Sequence, residues 1–170
     1  MILLLNGAFG IGKTTVARRL RGLLPDSAIF DPEWVGSALH PFAPGLDDYQ
    51  DLPAWRRLTV AGVQAMRAVR PTVIVPMAIT NLDYLDEIRT GAAHVDPEVR
   101  QFCLIAPLDV VMERLSRRAG GPPPAWQSRR ASECCAAHGS PAFGEQVSAD
   151  GSPDEIAAAI AEHLNRRPVA

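Results

Sequence analysis

Cysteine is scarce in this sequence, and its net charge is close to zero. The 170 residues include three cysteines, two of them adjacent at Cys134 and Cys135. An odd count without a secretory signal does not make a disulfide framework, so we expect a protein of the reducing cytoplasm. The net charge of −2 provides no global field that would attract nucleic acid, so any anion site has to be local.

Long apolar runs and metal-binding spacings are also absent. Residues 1–5 are apolar, but they lack a basic start, and Asn6-Gly7 ends the run too early for a signal peptide. No apolar run approaches the ~20 residues that cross a bilayer, so no transmembrane segment is expected. The four histidines show no spacing typical of metal ligands: His40, His94, His138 and His163.

Apolar runs alternate with helical patterns along the chain, and the length favours one domain, residues 1–170. Strands are expected at 2–5, 27–30, 72–75, 101–105 and 143–149. Unbroken apolar runs such as 2–5 are typical of strands buried on both faces of a parallel sheet. Helices are expected at 15–21, 34–39, 54–70, 82–89, from Pro107 up to a break at Gly120, at 125–137 and at 154–165.

Two of these helices carry apolar stripes. Helix 54–70 has two strips and is expected to be covered on two sides, one strip being Trp55, Leu58, Gly62, Met66 and Val69 and the other Val60 and Val63. Helix 154–165 is rich in alanine, which favours docking on the protein, although peripheral membrane contact stays open. Arg166 and Arg167 at its end match the helix dipole.

A complete G-x-x-x-x-G-K-[ST] motif follows the first strand and opens the first helix. It reads Gly7-Ala8-Phe9-Gly10-Ile11-Gly12-Lys13-Thr14. Its glycines let successive backbone N–H groups face one concavity, and the helix N-terminus adds the positive end of its dipole. Lys13 can reach the β- and γ-phosphates, and the Thr14 hydroxyl can ligate Mg²⁺. The motif predicts a polyphosphate site, because a turn that only links strand and helix would not require Lys-Thr at its end.

Asp31-Pro32-Glu33 follows the second strand, at the edge of the sheet where the phosphate loop is expected. Ligands of open α/β sheets bind beyond the carboxyl ends of the strands. Asp31 could therefore act as a general base for a substrate hydroxyl or hold Mg²⁺ through water. The alternative is an Asp-Pro turn that caps the next helix.

A polar segment at 46–53 precedes the longest helix, which begins with Trp55, Arg56 and Arg57. Its acidic, amide and aromatic groups are compatible with a substrate lip that hydrogen-bonds a sugar or a base, and equally with a solvated connection. Either arginine could face an anionic or hydroxylated ligand. For Arg57 we expect a solvated surface position instead.

No acidic residue follows the strand at 72–75, where many P-loop hydrolases place an aspartate that holds Mg²⁺. The nearest acids, Asp83 and Asp86, lie in the next predicted helix. This absence argues against a switch GTPase or a motor ATPase. It moves the metal-holding role toward Thr14, Asp31 and water.

Five arginines flank a Gly-Gly-Pro-Pro-Pro break at 120–124, and they are Arg114, Arg117, Arg118, Arg129 and Arg130. Two helices on either side of a breaker are typical of a lid that excludes water and brings cations to a transferring phosphoryl group. Arginine suits this task because it is always charged and binds phosphate in a fork. The segment 114–137 is therefore a candidate lid, the alternative being an ordinary surface charge run with Glu113 and Glu133 as partners.

Taken together, these segments resemble the tunicamycin-resistance ATP-binding proteins, within the P-loop kinases of small molecules. The shared stretches are 6–10 with 12–14, 31–33, 47–50, Pro53 with Trp55-Arg56, 74–77 with Ile79, and Arg114-Leu115 with Arg118-Ala119. The resemblance spans almost the whole chain, and its middle segments are the most specific. It implies a P-loop nucleotide kinase-like α/β fold, with a five-stranded, doubly wound parallel sheet between helices, a helical lid, ATP binding and resistance to tunicamycin.

Carried over to this sequence, the resemblance implies ATP and Mg²⁺ as cofactors, with Thr14 on the metal. The residues expected at the nucleotide are Gly7, Ala8, Phe9, Gly10, Ile11, Gly12, Lys13, Thr14 and Thr15. By analogy with small-molecule kinases, Asp31 would be the base, and Lys13, Arg114 and Arg118 would stabilise the transferring phosphoryl group. The residues expected at the substrate are Asp31, Glu33, Asp48, Gln50, Trp55 and Arg56.

Two functions of different class follow from these features. The first is an ATP-dependent phosphotransferase that acts on a small hydroxyl compound, with tunicamycin or another nucleoside-like molecule as the candidate acceptor. The second is an ATP-gated protein that sequesters the antibiotic without modifying it. A nucleotide-binding module with a regulatory role is a further alternative.

Overall fold

The computed structural model describes residues 1–43 and 45–165, so the predicted dipole match of Arg166 and Arg167 lies outside the described residues. Five parallel strands form one sheet in the order β2-β3-β1-β4-β5. The strands are β1 (Ile2–Gly7), β2 (Ser27–Ile29), β3 (Thr72–Pro76), β4 (Val99–Ile105) and β5 (Glu145–Ser148). The predicted five-stranded, doubly wound parallel sheet is confirmed.

Helices connect the strands and cover both faces of the sheet. They are α1 (Lys13–Leu23), α2 (Glu33–Leu39), α3 (Pro53–Arg67), α4 (Leu82–Val95), α5 (Leu108–Ala119), α6 (Ala125–His138) and α7 (Pro153–Asn165). Short 3₁₀ turns lie at His40–Phe42, Tyr49–Asp51 and Pro141–Phe143. Within the described residues, no helix is both long enough and apolar enough to cross a membrane.

Strand β1 organises the core because its side chains alternate between the two faces. Leu3 and Leu5 belong to the apolar cluster beneath α1, α5, α6 and α7. Ile2 and Leu4 belong to the cluster on the other face, beneath α3 and α4. All four side chains are fully buried, as expected for a strand covered on both faces.

Helix α4 extends six residues beyond the predicted 82–89, which corrects that end point. Its start is capped by Asn81, whose side chain accepts the N–H groups of Asp83 and Tyr84. Gly91 lies inside the helix and does not end it. Helix α3 packs closely on this glycine. A Cβ atom at Gly91 would lie 2.7 Å from a methyl group of Val60.

Helix α3 has contacts along both predicted strips, since Phe30 packs on Gly62 and Val60 packs on Gly91 of α4, but the first strip is buried only in part. Its buried residues are Trp55, Arg56, Thr59 and Val63. Leu58 is 47% exposed and Val69, beyond the end of the helix, is 68% exposed. The sheet and α4 pack on the side of Val63, whereas Leu58 borders an open apolar cavity whose other wall is α2.

The strand order creates a switch point at the carboxyl end of β1. β1 pairs with β3 on one side and with β4 on the other, so the connections leave its end in opposite directions. Ligands of doubly wound sheets bind at such crevices. The G-x-x-x-x-G-K-[ST] loop begins at this point, since Gly7 is the last residue of β1.

Candidate active site

The phosphate loop has the backbone conformation that the motif predicts. Gly10 and Gly12 have φ values of 86° and 107°, a region that only glycine adopts without strain. A Cβ atom at Gly10 would also lie 2.6 Å from Leu115, so the loop packs tightly on α5. In the described part of the chain, the backbone N–H groups of Gly10, Gly12, Lys13 and Thr14 have no acceptor. They are therefore free donors for an anion.

A cavity of about 750 Å³ lies over this loop and gathers most of the predicted catalytic groups. The candidate base Asp31 and its neighbour Glu33 form part of the wall on the β2 side. The arginines of α5 form the opposite wall, and Gly151 and Pro153 complete it near α7. The residues that line the cavity include Thr14, Thr15, Arg114, Arg117 and Arg118.

Lys13 is buried under α6, and its ammonium group donates to the Ala8 carbonyl at 2.9 Å. Burial lowers the pKa of Lys13, and the negative charges of Glu33 and Asp31 oppose this shift. The lysine and the two carboxylates line the same cavity.

Thr14 and Asp31 are the groups that fit a magnesium ion. Thr14 and Asp31 line the same cavity, and Thr14 is exposed there. One oxygen of Asp31 accepts the Glu33 N–H at 3.0 Å, and the other oxygen remains available. Among the described residues there is no cluster of three or more His, Cys, Asp or Glu side chains able to hold a metal. This donor set suits Mg²⁺, which commonly uses one or two protein groups together with phosphate and water.

Asp31 combines both alternatives that its sequence position allows. Its bond to the Glu33 N–H is the turn at the start of α2, and its carboxylate also lines the large cavity. The turn therefore orients the carboxylate without removing it from the site.

Arg114 braces the loop from α5. Its guanidinium donates to the carbonyl of Ile11 at 2.9 Å and to that of Ala149 at 2.6 Å. These bonds join the phosphate loop to the turn before α7. Arg117 and Arg118 in the last turn of α5 are exposed and line the same cavity.

The predicted substrate lip is held by internal contacts. Trp55 is fully buried and donates its indole N–H to the Pro32 carbonyl at 3.0 Å. Arg56 donates to Glu87 at 2.5 Å and to the Gln50 carbonyl at 2.6 Å, and it stacks over a tyrosine ring. Both side chains support the lip through these contacts. Arg57 is exposed, as expected.

Asp48 and Gln50 lie where the lip meets α6 and the chain after β3. Asp48 accepts the Gln50 N–H at 2.9 Å, and the Gln50 amide donates to the Ala78 carbonyl at 3.2 Å. The other oxygen of Asp48 accepts from Arg130 at 2.7 Å. This ion pair connects the lip to the candidate lid.

Three residues of this region have contacts that the sequence did not predict, although Arg130 was expected in the lid and Tyr49 in the lip. Arg130 is 25% exposed, whereas its neighbour Arg129 is 74% exposed, and only the fold distinguishes them. Tyr49 lies among Glu33, Asp48 and Asp31, and burial together with these charges raises its pKa. Asn6 is fully buried and exchanges two hydrogen bonds with the Ile79 backbone, which fixes the chain after β3 beside the phosphate loop.

Comparisons with known proteins agree with this geometry. A family model described as "AAA domain" matches residues 2–131. The tunicamycin resistance protein of Deinococcus radiodurans has 33% identity and a TM-score of 0.77, with 96% of this chain and 94% of that chain covered. A search of curated proteins finds no match.

Two kinases share the fold at lower identity. A gluconokinase from Sinorhizobium meliloti 1021 has 18% identity and a TM-score of 0.63, over 96% of this chain and 94% of that one. The shikimate kinase of Aquifex aeolicus has 16% identity and a TM-score of 0.62, over 97% and 96%. The family model covers most of the chain, the phosphate loop lies at the switch point, and one relative has 33% identity. The chain therefore belongs to the AAA domain family, in the P-loop kinase-like group that includes the tunicamycin resistance protein.

Proposed function

We propose that this protein is an ATP-dependent phosphotransferase acting on a small hydroxyl compound, with tunicamycin or a related nucleoside-like antibiotic as the candidate acceptor. The observation that carries the proposal is the single cavity that joins the phosphate loop, Asp31 and the α5 arginines. A site for nucleotide binding alone would not need a carboxylate opposite the loop. The relative at 33% identity supports the choice of tunicamycin.

Mg·ATP supplies the transferable phosphoryl group when it is bound. The free N–H groups of Gly12, Lys13 and Thr14 would bind its phosphates, and the Thr14 hydroxyl would be the protein ligand for the metal. The Lys13 ammonium, which donates to the Ala8 carbonyl, would donate to a phosphate oxygen instead.

Asp31 accepts the proton of the attacking hydroxyl, since its carboxylate faces the cavity from the β2 side. Arg118 and Arg114 face it from α5 and stabilise the negative charge that spreads over the phosphoryl oxygens. Arg114 is already held by two carbonyl oxygens, so its position is fixed before the ligand binds. Preorganised cations of this kind are the main contribution to phosphoryl transfer.

The acceptor side carries more negative than positive charge. Burial raises the pKa of Tyr49, the charges of Glu33, Asp48 and Asp31 raise it further, and the charge of Arg130 opposes them. Because Arg130 is paired with Asp48 at 2.7 Å, no unpaired cation of this cluster is left for an anionic acceptor. We therefore expect the acceptor to be a neutral or cationic hydroxyl compound that forms hydrogen bonds to the carboxylates of the lip. An acceptor that itself carries a carboxylate is not expected.

The segment 114–137 acts in this proposal as a lid over the single P-loop domain. It contains the second half of α5, the break at 120–124 and most of α6. Phe9 of the phosphate loop contacts Trp126 of α6, with ring centroids 5.5 Å apart. Opening of this contact would admit the nucleotide, and closure would bring α6 back over Lys13.

Sequestration without chemistry is the second candidate. The observation that favours it is the end of β3, where Pro76 lines the large cavity at a position that often carries a metal-binding acid in P-loop hydrolases. In that case Asp31 would hold the hydroxyl of the antibiotic without transferring a group to it.

A turnover experiment separates the two candidates. Protein, Mg·ATP and tunicamycin are incubated, and mass spectrometry follows the drug. A product heavier by one phosphoryl group, formed in excess over protein, is expected. Stoichiometric depletion of drug that is recovered intact would establish sequestration. Asp31→Asn is expected to lower kcat by about 10²- to 10⁴-fold with ATP affinity retained, whereas the exposed control Asp86→Asn should behave as the unmodified protein.

A further inference from the structure

An open apolar groove lies between α2 and α3, outside the cavity that contains the phosphate loop. Its volume is about 500 Å³, and in the described part of the chain its wall contains no charged side chain. Phe30 forms the floor, because Gly62 has no side chain that would displace its ring. Trp34 of α2 and Leu58 of α3 line the two sides and are 63% and 47% exposed. The mechanism proposed above does not use this groove.

The size of the groove favours a small occupant. Apolar side chains that gather around one concavity indicate a binding site, whereas scattered ones need no explanation. Eight residues form this wall, but a stable protein–protein interface takes about 20–30 residues on each side. An aliphatic chain suits the groove, because it is narrow and requires no polar partner from the wall.

The groove begins within one helical turn of the candidate base. Asp31 and Glu33 line the large cavity, whereas Phe30 and Trp34 line the groove, so one short segment borders both spaces. The Trp34 N–H donates to the Asp31 carbonyl at 3.1 Å, in the turn that starts α2. A ligand whose hydroxyl lies at Asp31 can therefore extend across this turn into the groove.

The charges at this turn restrict the head group of such a ligand. Asp31 and Glu33 would repel the carboxylate of a free fatty acid, and they would equally repel the phosphates of an anionic lipid surface. A chain that is joined to its head group through an amide or an ester avoids this repulsion. The preference agrees with the neutral or cationic acceptor expected above.

We propose that the groove between α2 and α3 binds the aliphatic chain of the acceptor, so that the substrate class is a hydroxyl compound without negative charge that carries one acyl or alkyl chain. The inference rests on the proposed function, which places the hydroxyl of the acceptor at Asp31. Tunicamycin belongs to this class, because a fatty acyl chain is attached to its sugars. The chain then contributes to affinity together with the head group.

Calorimetric titration of the full chain with two compounds tests the proposal. One is tunicamycin, and the other is its analogue with an acetyl group in place of the fatty acyl group. Each methylene that enters an apolar site strengthens binding about fourfold, so burial of three or more should make tunicamycin bind at least about 60-fold more tightly. Equal affinities would overturn the proposal, whereas phosphoryl transfer to either compound would still support the proposed function.

Variants locate the chain. Ala61→Trp fills the groove from an exposed position of α3, so both compounds should bind with the affinity of the acetyl analogue. Ala93→Trp is the matched control, since Ala93 is an exposed alanine of α4 that does not line the groove, and it should keep the full difference. A full difference in Ala61→Trp would overturn the proposal.

The fluorescence of Trp34 gives a measurement that does not depend on tunicamycin. Octyl glucoside below its micelle concentration should shift the emission to shorter wavelength, and methyl glucoside should not, because only the chain covers the exposed indole. Trp34→Phe should lose this shift, whereas Trp126→Phe, at the other exposed tryptophan, should keep it. Absence of the shift would overturn the groove. A shift that depends on the chain, without phosphorylated tunicamycin in the turnover experiment, would overturn only the proposed function.

Two other occupants of the groove have outcomes of their own. Sedimentation of the free protein is expected to show a monomer, and a dimer that Ala61→Trp dissociates would assign the groove to a second copy of the chain. Cosedimentation with phosphatidylcholine vesicles that Ala61→Trp abolishes would assign it to a lipid surface. Either result would overturn the proposal.

Discussion

Among single residues, Lys13 shows most clearly that a functional group can oppose stability. It is the only lysine in the chain, and it is buried with one carbonyl acceptor for three donor hydrogens. Burial lowers its pKa, which means that the folded protein disfavours the charge that phosphate binding needs. A bound polyphosphate would satisfy the remaining donors.

Lys13→Met should separate binding from stability. The apolar side chain has a similar length and removes the cost of burying an ammonium group, so the melting temperature should stay the same or rise. ATP affinity should fall by at least about tenfold, since a charge-assisted hydrogen bond contributes about 1.5–3 kcal/mol. Thermal melting and nucleotide titration give the two readouts. A lower melting temperature combined with unchanged ATP affinity would contradict both the site and this account of its energetics.

The adjacent residues Arg56 and Arg57 show what the sequence leaves open. Both follow Trp55 at the start of the same predicted helix, so residue type and helix position are alike. Arg56 is buried because its partner Glu87 lies 31 residues further along the chain, on α4. No local pattern contains that pairing. Its predicted substrate contact remains a prediction, while its bonds to Glu87 and Gln50 make it a support for the lip.

Arg56→Ala is expected to lower the free energy of unfolding by about 1–3 kcal/mol, because it leaves the Gln50 carbonyl and Glu87 without their donor. The Michaelis constant for the acceptor should rise through loss of lip geometry, with ATP affinity unchanged. Arg57→Ala is the matched control, and its stability should stay within about 0.5 kcal/mol of the unmodified protein. Urea unfolding measures the free energy of unfolding of both variants. Equal stability of the two variants would rule out the bracing role.

Turning to secondary-structure elements, α6 is the one whose role could least be foreseen. The sequence predicted its existence and nearly its bounds, 125–137 against Ala125–His138. Its contacts depend on residues distant in the chain: Trp126 on Phe9, Arg130 on Asp48 and His138 on Ile79. Five arginines around the break suggested a lid as a whole, but their individual orientations follow from how α6 docks.

Arg130→Ala should loosen α6 from the lip. The bond to Asp48 is one of the three contacts that anchor α6, the others being those of Trp126 and His138. Without it, amide hydrogen exchange in α6 should accelerate, and the Michaelis constant for the acceptor should rise several-fold. Arg129→Ala is the control, because its side chain is largely exposed and reaches only Glu133 at 3.9 Å. If both variants exchange at the same rate as the unmodified protein, the Asp48 pair does not hold the lid.

For the molecule as a whole, the centre of the sheet was predictable because β1, β3 and the second half of β4 are short apolar runs that the fold buries, whereas the edge strand β5 is mostly exposed. The phosphate loop was predictable because its spacing is local. The contacts that could not be predicted are hydrogen bonds between residues far apart in the sequence. Examples are the bond of Asn6 to Ile79 near the site and the bonds around Asp96 at the opposite edge of the sheet. Buried polar groups of this kind have no period in the sequence.

Asp96 joins the starts of β1 and β4 to the end of α3. Its carboxylate accepts from the Met1 ammonium at 2.7 Å, from Arg67 at 2.6 Å and from the Glu98 N–H at 2.8 Å. These donors hold the pKa of Asp96 well below its ordinary value of 3.8. The unfolded chain therefore binds more protons than the folded protein as the pH falls below about 4, and stability decreases there.

Asp96→Asn should lower the free energy of unfolding by about 1–3 kcal/mol at pH 7, because the amide cannot replace a carboxylate among three donors. The contribution is fully present above the unfolded pKa of 3.8 and is lost as the pH falls toward the folded value. The difference between the two proteins should therefore shrink from pH 5 to pH 3. Urea unfolding across this range measures it, with the exposed Asp86→Asn as control. ATP affinity should not change, since Asp96 lies at the edge of the sheet away from the phosphate loop. A difference that stays constant down to pH 3 would mean that packing, and not the charge of Asp96, holds this edge together.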